Sequence, residues 1–562
     1  MRGGVMSKLL KAKSVVAVLL SLILCFGMCF SLSACGSSDD ASSEEASPAT
    51  EVKTVCSNGT LVGSETEGVI SYLGVPFAKP PVDDLRWKAP VPAEDSDEEI
   101  QCTEFGDTAL QYEWKSEPAS FNEKSEDCLT LNIWMSKAAA ESDEPKDVMV
   151  FFHGGAYGWG GTSDEMYNGK DLAAAHDDMI FVTCNYRLNA MGFADFTKVP
   201  GGEEYTDLNL ALRDHICALE WINKNISNFG GSPEDVTIFG ESAGGWSTSS
   251  LLLSPMSTGL FKNAIMESGV VIPKDREVAQ EFAATLMKDS GAKNMEELLA
   301  ITGDEWMEID DEMWYSDEYY GMVYDGETFP YEEDWDKELK AKIDAGVNIM
   351  LGTNKDEWNY FVQDQEGDTF EEMFEAWDSA MDDTIDGFKE TLDEDGLKTM
   401  DELYAIFEKR VPKEYAKDKK TKEALVKSAF LTSTWRQDHI MFAERYANQG
   451  GNVYFYNWDV PSSLDDYYKS SVHAIELPYV FNNDDGIYSG EINKDVQAQT
   501  QKAWTNFAKT GDPSFDDVTW TKWSTDGFDT MMITADGWSM ESDPDGNIRE
   551  MLDLISGYAV LW

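Results

Sequence analysis

Asp235-Val236-Thr237-Ile238-Phe239-Gly240-Glu241-Ser242-Ala243-Gly244-Gly245 is the stretch on which the reading of this chain turns. Val236–Phe239 is an apolar run of strand length, and Gly240 to Gly244 match the pattern G-x-S-x-G. As a bare pattern this is only moderately specific. A buried strand before it and a small-residue helix start after it add weight, because a sharp strand-to-helix turn exposes the serine hydroxyl at the top of a sheet. Side chains at Gly240 and Gly244 would clash across so tight a turn. The new helix points its N-terminus at the site and favours negative charge developing there. Ser242 is the expected nucleophile.

To either side, short apolar runs alternate with helical patterns. Strands are expected over Val148–Phe152, Met179–Cys184, Ala264–Glu267, Val347–Leu351 and Val453–Tyr456. A helix is expected over Leu208–Ile226, where Leu208, Leu212, Leu219, Ile222 and Ile226 fall near a 3.6-residue period. This alternation predicts an α/β domain with a large mixed, mostly parallel sheet flanked by helices. Lys274 to about Ala345 and Phe370–Lys427 read as acidic, mostly helical insertions, placed to wall or cover a site at the sheet ends.

His153-Gly154-Gly155-Ala156 directly follows the strand Val148–Phe152. Small residues there let backbone amides approach a substrate oxygen, as an oxyanion hole requires. The expected donors are the amides of Gly155, Ala156 and Ala243. A serine also needs a base, and the chain has five histidines. His153 belongs to that turn. His176, His215 and His439 lie in helical patterns. His473 alone follows a late strand and a polar loop, Pro461–Ser471, which suits the order serine, acid, histidine. The third member is harder to read, because acids are everywhere. Glu357, closely following the strand Val347–Leu351, is the first choice and Asp356 the second; the acid would hold the imidazole in its tautomer.

The net charge is −61, from 105 acidic and 44 basic residues. Such a chain repels nucleic acid and anionic headgroups; its field favours neutral or cationic small molecules. Arg2, Lys8, Lys11 and Lys13 precede an apolar run, Ser14–Leu32, in the order of an export signal. The run is almost long enough to span a membrane, but it ends in Leu32-Ser33-Ala34-Cys35-Gly36, which resembles the lipobox of bacterial lipoproteins. That resemblance implies a signal peptide over 1–34, a lipid on Cys35 and anchoring to the outer face of the bacterial cell membrane. Residues 35–55 read as an acidic tether, and 56–562 as one domain. Of the eight cysteines, Cys25 and Cys29 lie in the signal. No cysteine or histidine spacing suggests a metal site.

Several long motifs, in order, make the chain resemble the type B carboxylesterases, the family that includes cholinesterases. Phe229 to Gly245 is similar to the family's serine signature, and Glu126-Asp127-Cys128-Leu129-Thr130-Leu131-Asn132-Ile133 to its second signature. Tyr72–Pro81, Leu85-Arg86-Trp87, Asn185-Tyr186-Arg187-Leu188, Asn354–Glu357, His473–Pro478 and Ala503-Trp504 fit as well. The resemblance runs from about Ser57 to the C-terminus. It implies an α/β-hydrolase fold and a carboxylic ester hydrolase with a Ser242–His473–Glu357 triad, an acyl-enzyme intermediate, small-molecule ester substrates and no cofactor. Adhesion relatives of this fold that lack turnover lack a triad member; here all three are present.

Three positions depart from the family pattern. Trp358 stands where Gly usually follows the triad acid, which would restrict that loop or narrow the pocket. His215 replaces a usual Gln, a packing change. The family's first disulfide uses the cysteine of the second signature, here Cys128. Its usual partner position is Ala109, with Cys102 a few residues earlier, so Cys102–Cys128 is the pairing open to this chain.

Overall fold

The computed structural model describes residues 49–111, 122–314, 320–362, 370–463, 470–483 and 490–555. The export segment and Cys35 lie outside them.

In chain order the strands are β1 Thr50–Cys56, β2 Gly59–Thr66, β3 Val69–Pro76, β4 Glu99–Gln101, β5 Thr108–Ala109, β6 Lys124–Ser125, β7 Thr130–Ser136, β8 Lys146–Phe152, β9 Met179–Cys184, β10 Gly231–Glu241, β11 Asn263–Glu267, β12 Asn348–Asn354, β13 Asn452–Asp459, β14 Asp529–Thr534 and β15 Gly537–Ser542. One sheet runs β1-β2-β3-β7-β9-β8-β10-β11-β12-β13-β14-β15, with β4 beside β2, while β5 and β6 pair separately. From β9 to β14 every neighbouring pair is parallel; β1-β2-β3-β7-β9 and β14-β15 are antiparallel. The expected mixed, mostly parallel sheet is therefore present, and its six anticipated strands all form.

The parallel strands are apolar on both faces because helices cover both. In β8, Val148, Val150 and Phe152 join one core while Met149 and Phe151 join the other. The helix expected over Leu208–Ile226 spans Leu210–Asn225, and Ile226 opens a tighter turn. The antiparallel margins were not anticipated. The outermost strands, β1 and β15, are half-exposed and lack a continuous apolar run, whereas β7 is buried throughout. Strand β1 also takes in residues 50–55, read from sequence as tether, because its backbone ladders with β2.

Both acidic insertions are helical. The first holds Arg276–Ser290, Met295–Leu299, Gly303–Trp314 and Trp335–Asp344. The second holds Phe370–Thr391, Glu394–Arg410 and the start of the long helix Lys419–Asn448. The second insertion has its own core, with Trp358, Trp377, Leu403 and Phe430, joined by Ile548 and Leu552 of the C-terminal helix. Among the described residues no helix is long and apolar enough to cross a membrane.

The pairing of Cys102 with Cys128 is not formed. Cys56, Cys102, Cys128, Cys184 and Cys217 are all buried free thiols. Cys102 is tied into the β2 margin by its amide, which donates to the Val62 carbonyl at 2.8 Å. Cys128 is fully buried near the Arg187–Asp214 ion pair. Both thiols belong to the same apolar core, and burial raises both above the ordinary thiol value.

Candidate active site

The carboxyl ends of β8, β10, β11, β12 and β13 form one edge, where ligands of open α/β sheets enter. In-register pairing aligns Phe152 with Gly240, Glu241 with Glu267, and Glu267 with Gly352. The residues just past these positions therefore converge.

Ser242 sits between β10 and the helix Ala243–Leu253 with φ 56° and ψ −122°, a conformation that L residues rarely adopt. The turn is held by the Ser242 amide, which donates to the Glu267 carbonyl at 2.9 Å. A Cβ at Gly244 would lie 1.9 Å from the Phe152 oxygen, and one at Gly240 would lie 2.5 Å from Gly244. Both glycines are required by contact, as the sequence suggested.

The loop after β8 lies against this turn. A Cβ at Gly154 would come within 3.2 Å of Ser242 Cβ. Gly155, Ala156 and Tyr157 all have positive φ, at 102°, 50° and 63°. Successive residues of this kind turn amides toward one concave face. The Gly155 and Ala156 amides donate to no group among the described residues. The Ala243 amide, first in its helix, has no partner one turn earlier. The three expected donors thus border the nucleophile with their hydrogens uncommitted.

His473 is buried, and its Nδ1 donates to Glu357 Oε2 at 2.7 Å. The other Glu357 oxygen accepts from Ser268 Oγ at 2.7 Å and from the Asn354 amide at 2.6 Å. Three donors fix this fully buried carboxylate. Asp356, the second choice, instead faces Ser471: its amide donates to the Ser471 carbonyl at 3.0 Å, and burial pushes its carboxyl up to about 6. His473 Nε2 lies 3.1 Å from Glu241 Oε1 and makes no hydrogen bond among the described residues, to Ser242 or otherwise. Tyr360, Phe361 and Trp435 surround the imidazole, with ring centroids 5.5–5.7 Å away.

The other histidines serve packing. His153 Nδ1 donates to the Gly154 carbonyl and its ring stacks on Tyr186; burial lowers it to about 4. His215 packs between Phe152 and Tyr186 at 4.4 and 4.5 Å. His439 Nδ1 donates to the Trp435 carbonyl. His176 caps the helix Lys170–Ala175 rather than lying within it.

Several neighbours escaped the sequence reading. Ser268 was one; Glu267-Ser268-Gly269 directly after a strand was the available signal. Two more are buried carboxyls behind the site. Glu267 accepts from Trp504 Nε1 at 2.5 Å and is pushed up to about 7 by burial. Glu476 accepts from Asn354 Nδ2 at 2.5 Å and is pushed up to about 8, by burial first and then by Glu267 and Glu357. Both hold protons near neutrality, which limits the negative charge packed behind His473. Trp358 turns away from the site into the insertion core, its carbonyl accepting from Trp377 Nε1 at 3.1 Å. It ties the Glu357 loop to the helices above. Among the described residues no cluster of side chains could hold a metal ion.

The model of the carboxylesterase family matches residues 48–547. The para-nitrobenzyl esterase of Bacillus subtilis is 30% identical over 517 residues, covering 88% of this chain and 97% of its own. Carboxylesterase 5A of Felis catus is 32% identical, covering 82% and 85%. Among solved structures, a thermophilic pNB esterase superposes with a TM-score of 0.74 at 29% identity, covering 90% of this chain and all of that one. A Geobacillus stearothermophilus carboxylesterase gives 0.71 at 28% identity, covering 89% of this chain and 99% of its own.

Proposed function

We infer, from the carboxylesterase family to which this chain belongs and from the geometry of its site, that this carboxylic ester hydrolase works through Ser242, His473 and Glu357. Ser242 Oγ attacks the ester carbonyl while His473 Nε2 takes its proton. Glu357 keeps the Nδ1 proton in place and stabilises the imidazolium; Glu241, 3.1 Å from Nε2, adds a second favourable charge. The amides of Gly155, Ala156 and Ala243 receive the oxyanion, each such donor being worth about 3 kcal/mol of barrier. His473 then protonates the leaving alcohol and activates the water that releases the acid. A serine–histidine hydrogen bond often tightens only when substrate is bound. The observation that carries the reading is the 2.7 Å bond of His473 Nδ1 to a glutamate anchored by two other donors.

The test is hydrolysis of short p-nitrophenyl esters by the protein and by Ser242→Ala. Activity abolished in a folded mutant is expected; equal activity in both would overturn the assignment. Labelling of Ser242 by a fluorophosphonate would report the nucleophile directly.

We further propose that the chain is exported and held at the outer face of a bacterial cell membrane by lipid on Cys35. The charged and apolar order of the first 34 residues and the Leu32–Gly36 motif support this. Labelled palmitate should enter the full chain and fail to enter Cys35→Ala; equal labelling would sink the proposal.

A further inference from the structure

Arg436 reaches from the helix Lys419–Asn448 onto the end of the β12–β13 ladder, where Thr353 and Asn457 are register partners. Its guanidinium meets both strands. Nε donates to Thr353 Oγ1 at 2.9 Å, while Nη2 donates to the Asn354 carbonyl at 3.1 Å and to Asn457 Oδ1 at 3.3 Å. Strand β12 leads into Glu357, and β13 into the loop that carries His473. One planar fork therefore bridges the two strands that deliver the acid and the base.

Asn354 passes the contact on. Its carbonyl accepts from Arg436, and its amide donates to Glu357 Oε1 at 2.6 Å. Its Nδ2 donates to the Val472 carbonyl, next to His473, at 2.8 Å. The same face of the helix touches the site again. Ser428 Oγ donates to Asn359 Oδ1 at 2.7 Å, Thr432 Oγ1 accepts from the Trp358 amide at 3.3 Å, and Trp435 Nε1 donates to the Ser268 carbonyl at 3.0 Å. Residues 428, 432, 435 and 436 share one side of a helix at this spacing. A single insertion helix thus pins the loops after β11 and β12 and the end of β13.

Charge is the second observation. Glu241 ends β10, Glu267 ends β11, Asp356 and Glu357 follow β12, Asp459 ends β13 and Glu476 follows His473. The other basic groups nearby are committed or neutral. Lys355 pairs with Asp459 at 2.8 Å, Arg410 pairs with Asp545 at 2.7 Å, and burial lowers His439 to about 4. The three oxygens that Arg436 bonds are all neutral. Asp545, Glu357, Asp356 and Asp459 lie close enough to act on its charge.

We propose that Arg436 is a positioning residue for the triad: its fork sets the ends of β12 and β13, and its charge offsets the carboxyls gathered around His473. It touches no substrate and transfers no proton. Displacing an acid or base by about 1 Å can slow such a reaction roughly 10²-fold. A nearby cation also favours the carboxylate form of Glu357 and leaves the resting imidazole free to accept a proton.

The proposal rests on the serine-esterase reading, and its test separates the two. Hydrolysis of p-nitrophenyl acetate by the full chain is compared with Arg436→Gln and Arg436→Lys. Every rate is divided by the Ser242 sites that a fluorophosphonate titrates to completion, which removes misfolded protein from the count. In Arg436→Gln, kcat per site should fall roughly tenfold or more with KM within about twofold. The acid limb of its kcat/KM profile should move to higher pH. Protonation of either Glu357 or His473 ends turnover, and both take a proton more readily once the cation is gone. Arg436→Lys keeps the charge without the planar fork, so its acid limb should stay in place while kcat remains reduced. An acid limb unmoved in Arg436→Gln, a limb that moves as far in Arg436→Lys, or a loss wholly accounted for by fewer titrated sites would each overturn the proposal. A wild type in which no Ser242 is titrated would instead overturn the parent reading.

Discussion

Glu357 and His473, 116 residues apart in the chain, meet in a buried 2.7 Å hydrogen bond between Oε2 and Nδ1. The loops after β12 and β13 bring them together, and neither loop has that shape without its strand. Glu357→Gln keeps the volume but offers an amide where the imidazole needs an acceptor. Turnover of p-nitrophenyl acetate should fall roughly 10³–10⁴-fold, as when a triad acid becomes its amide, with little change in thermal unfolding. Asp356→Asn, whose carboxyl faces Ser471, should keep activity within a few-fold.

The elbow glycines should be separable from glycines that only turn the chain. Gly244→Ala drives a methyl group to 1.9 Å from the Phe152 oxygen and should cost more than about 3 kcal/mol in denaturant unfolding, or prevent folding. Gly230→Ala also occupies a positive φ, 84°, but meets nothing within 4 Å, so its cost should stay near the ~1–2 kcal/mol of left-handed backbone.

Trp358 should act through stability rather than through substrate contact. Its ring belongs to the insertion core and its carbonyl holds Trp377. Trp358→Ala should lower unfolding stability by about 3–5 kcal/mol. Below the new midpoint KM should be little altered, because the ring is turned away from the ester.

Stability should decline from acid toward alkaline pH through the neutral range. Glu267 and Glu476 have folded values of about 7 and about 8 against an ordinary 4.5. A raised value means the folded state binds the proton more tightly. The stabilisation is complete below pH 4.5 and is lost as pH rises through 7 to 8. Urea unfolding across this range should show the slope, and Glu476→Gln, neutral at every pH, should flatten it. An unchanged slope in that variant would place the titration elsewhere.

Much of this was legible along the chain because it depends on neighbours in sequence. The G-x-S-x-G turn, the six central strands and the late position of His473 are local patterns, and the structure reproduces each. Glu357 was barely separable from Asp356 on chemistry alone. The choice depends on which side chain faces the imidazole, and adjacent residues point in different directions. Ser268 was missed because one hydroxyl after a strand has no periodicity to mark it. The Cys102–Cys128 pairing failed because spacing says nothing of which thiols pack together.

The sequence by itself determined the element order, the strand that carries Ser242 and the small residues that let backbone approach backbone. These follow from hydrophobic period and from the absence of Cβ atoms, both properties of contiguous residues. Only the tertiary structure brought the Glu357 carboxylate against His473 with Ser268 and Asn354 behind it, and turned Trp358 away from the site. Each of these depends on register between strands and on the packing of a distant helix, where free energy is set by groups that the chain brings together only on folding.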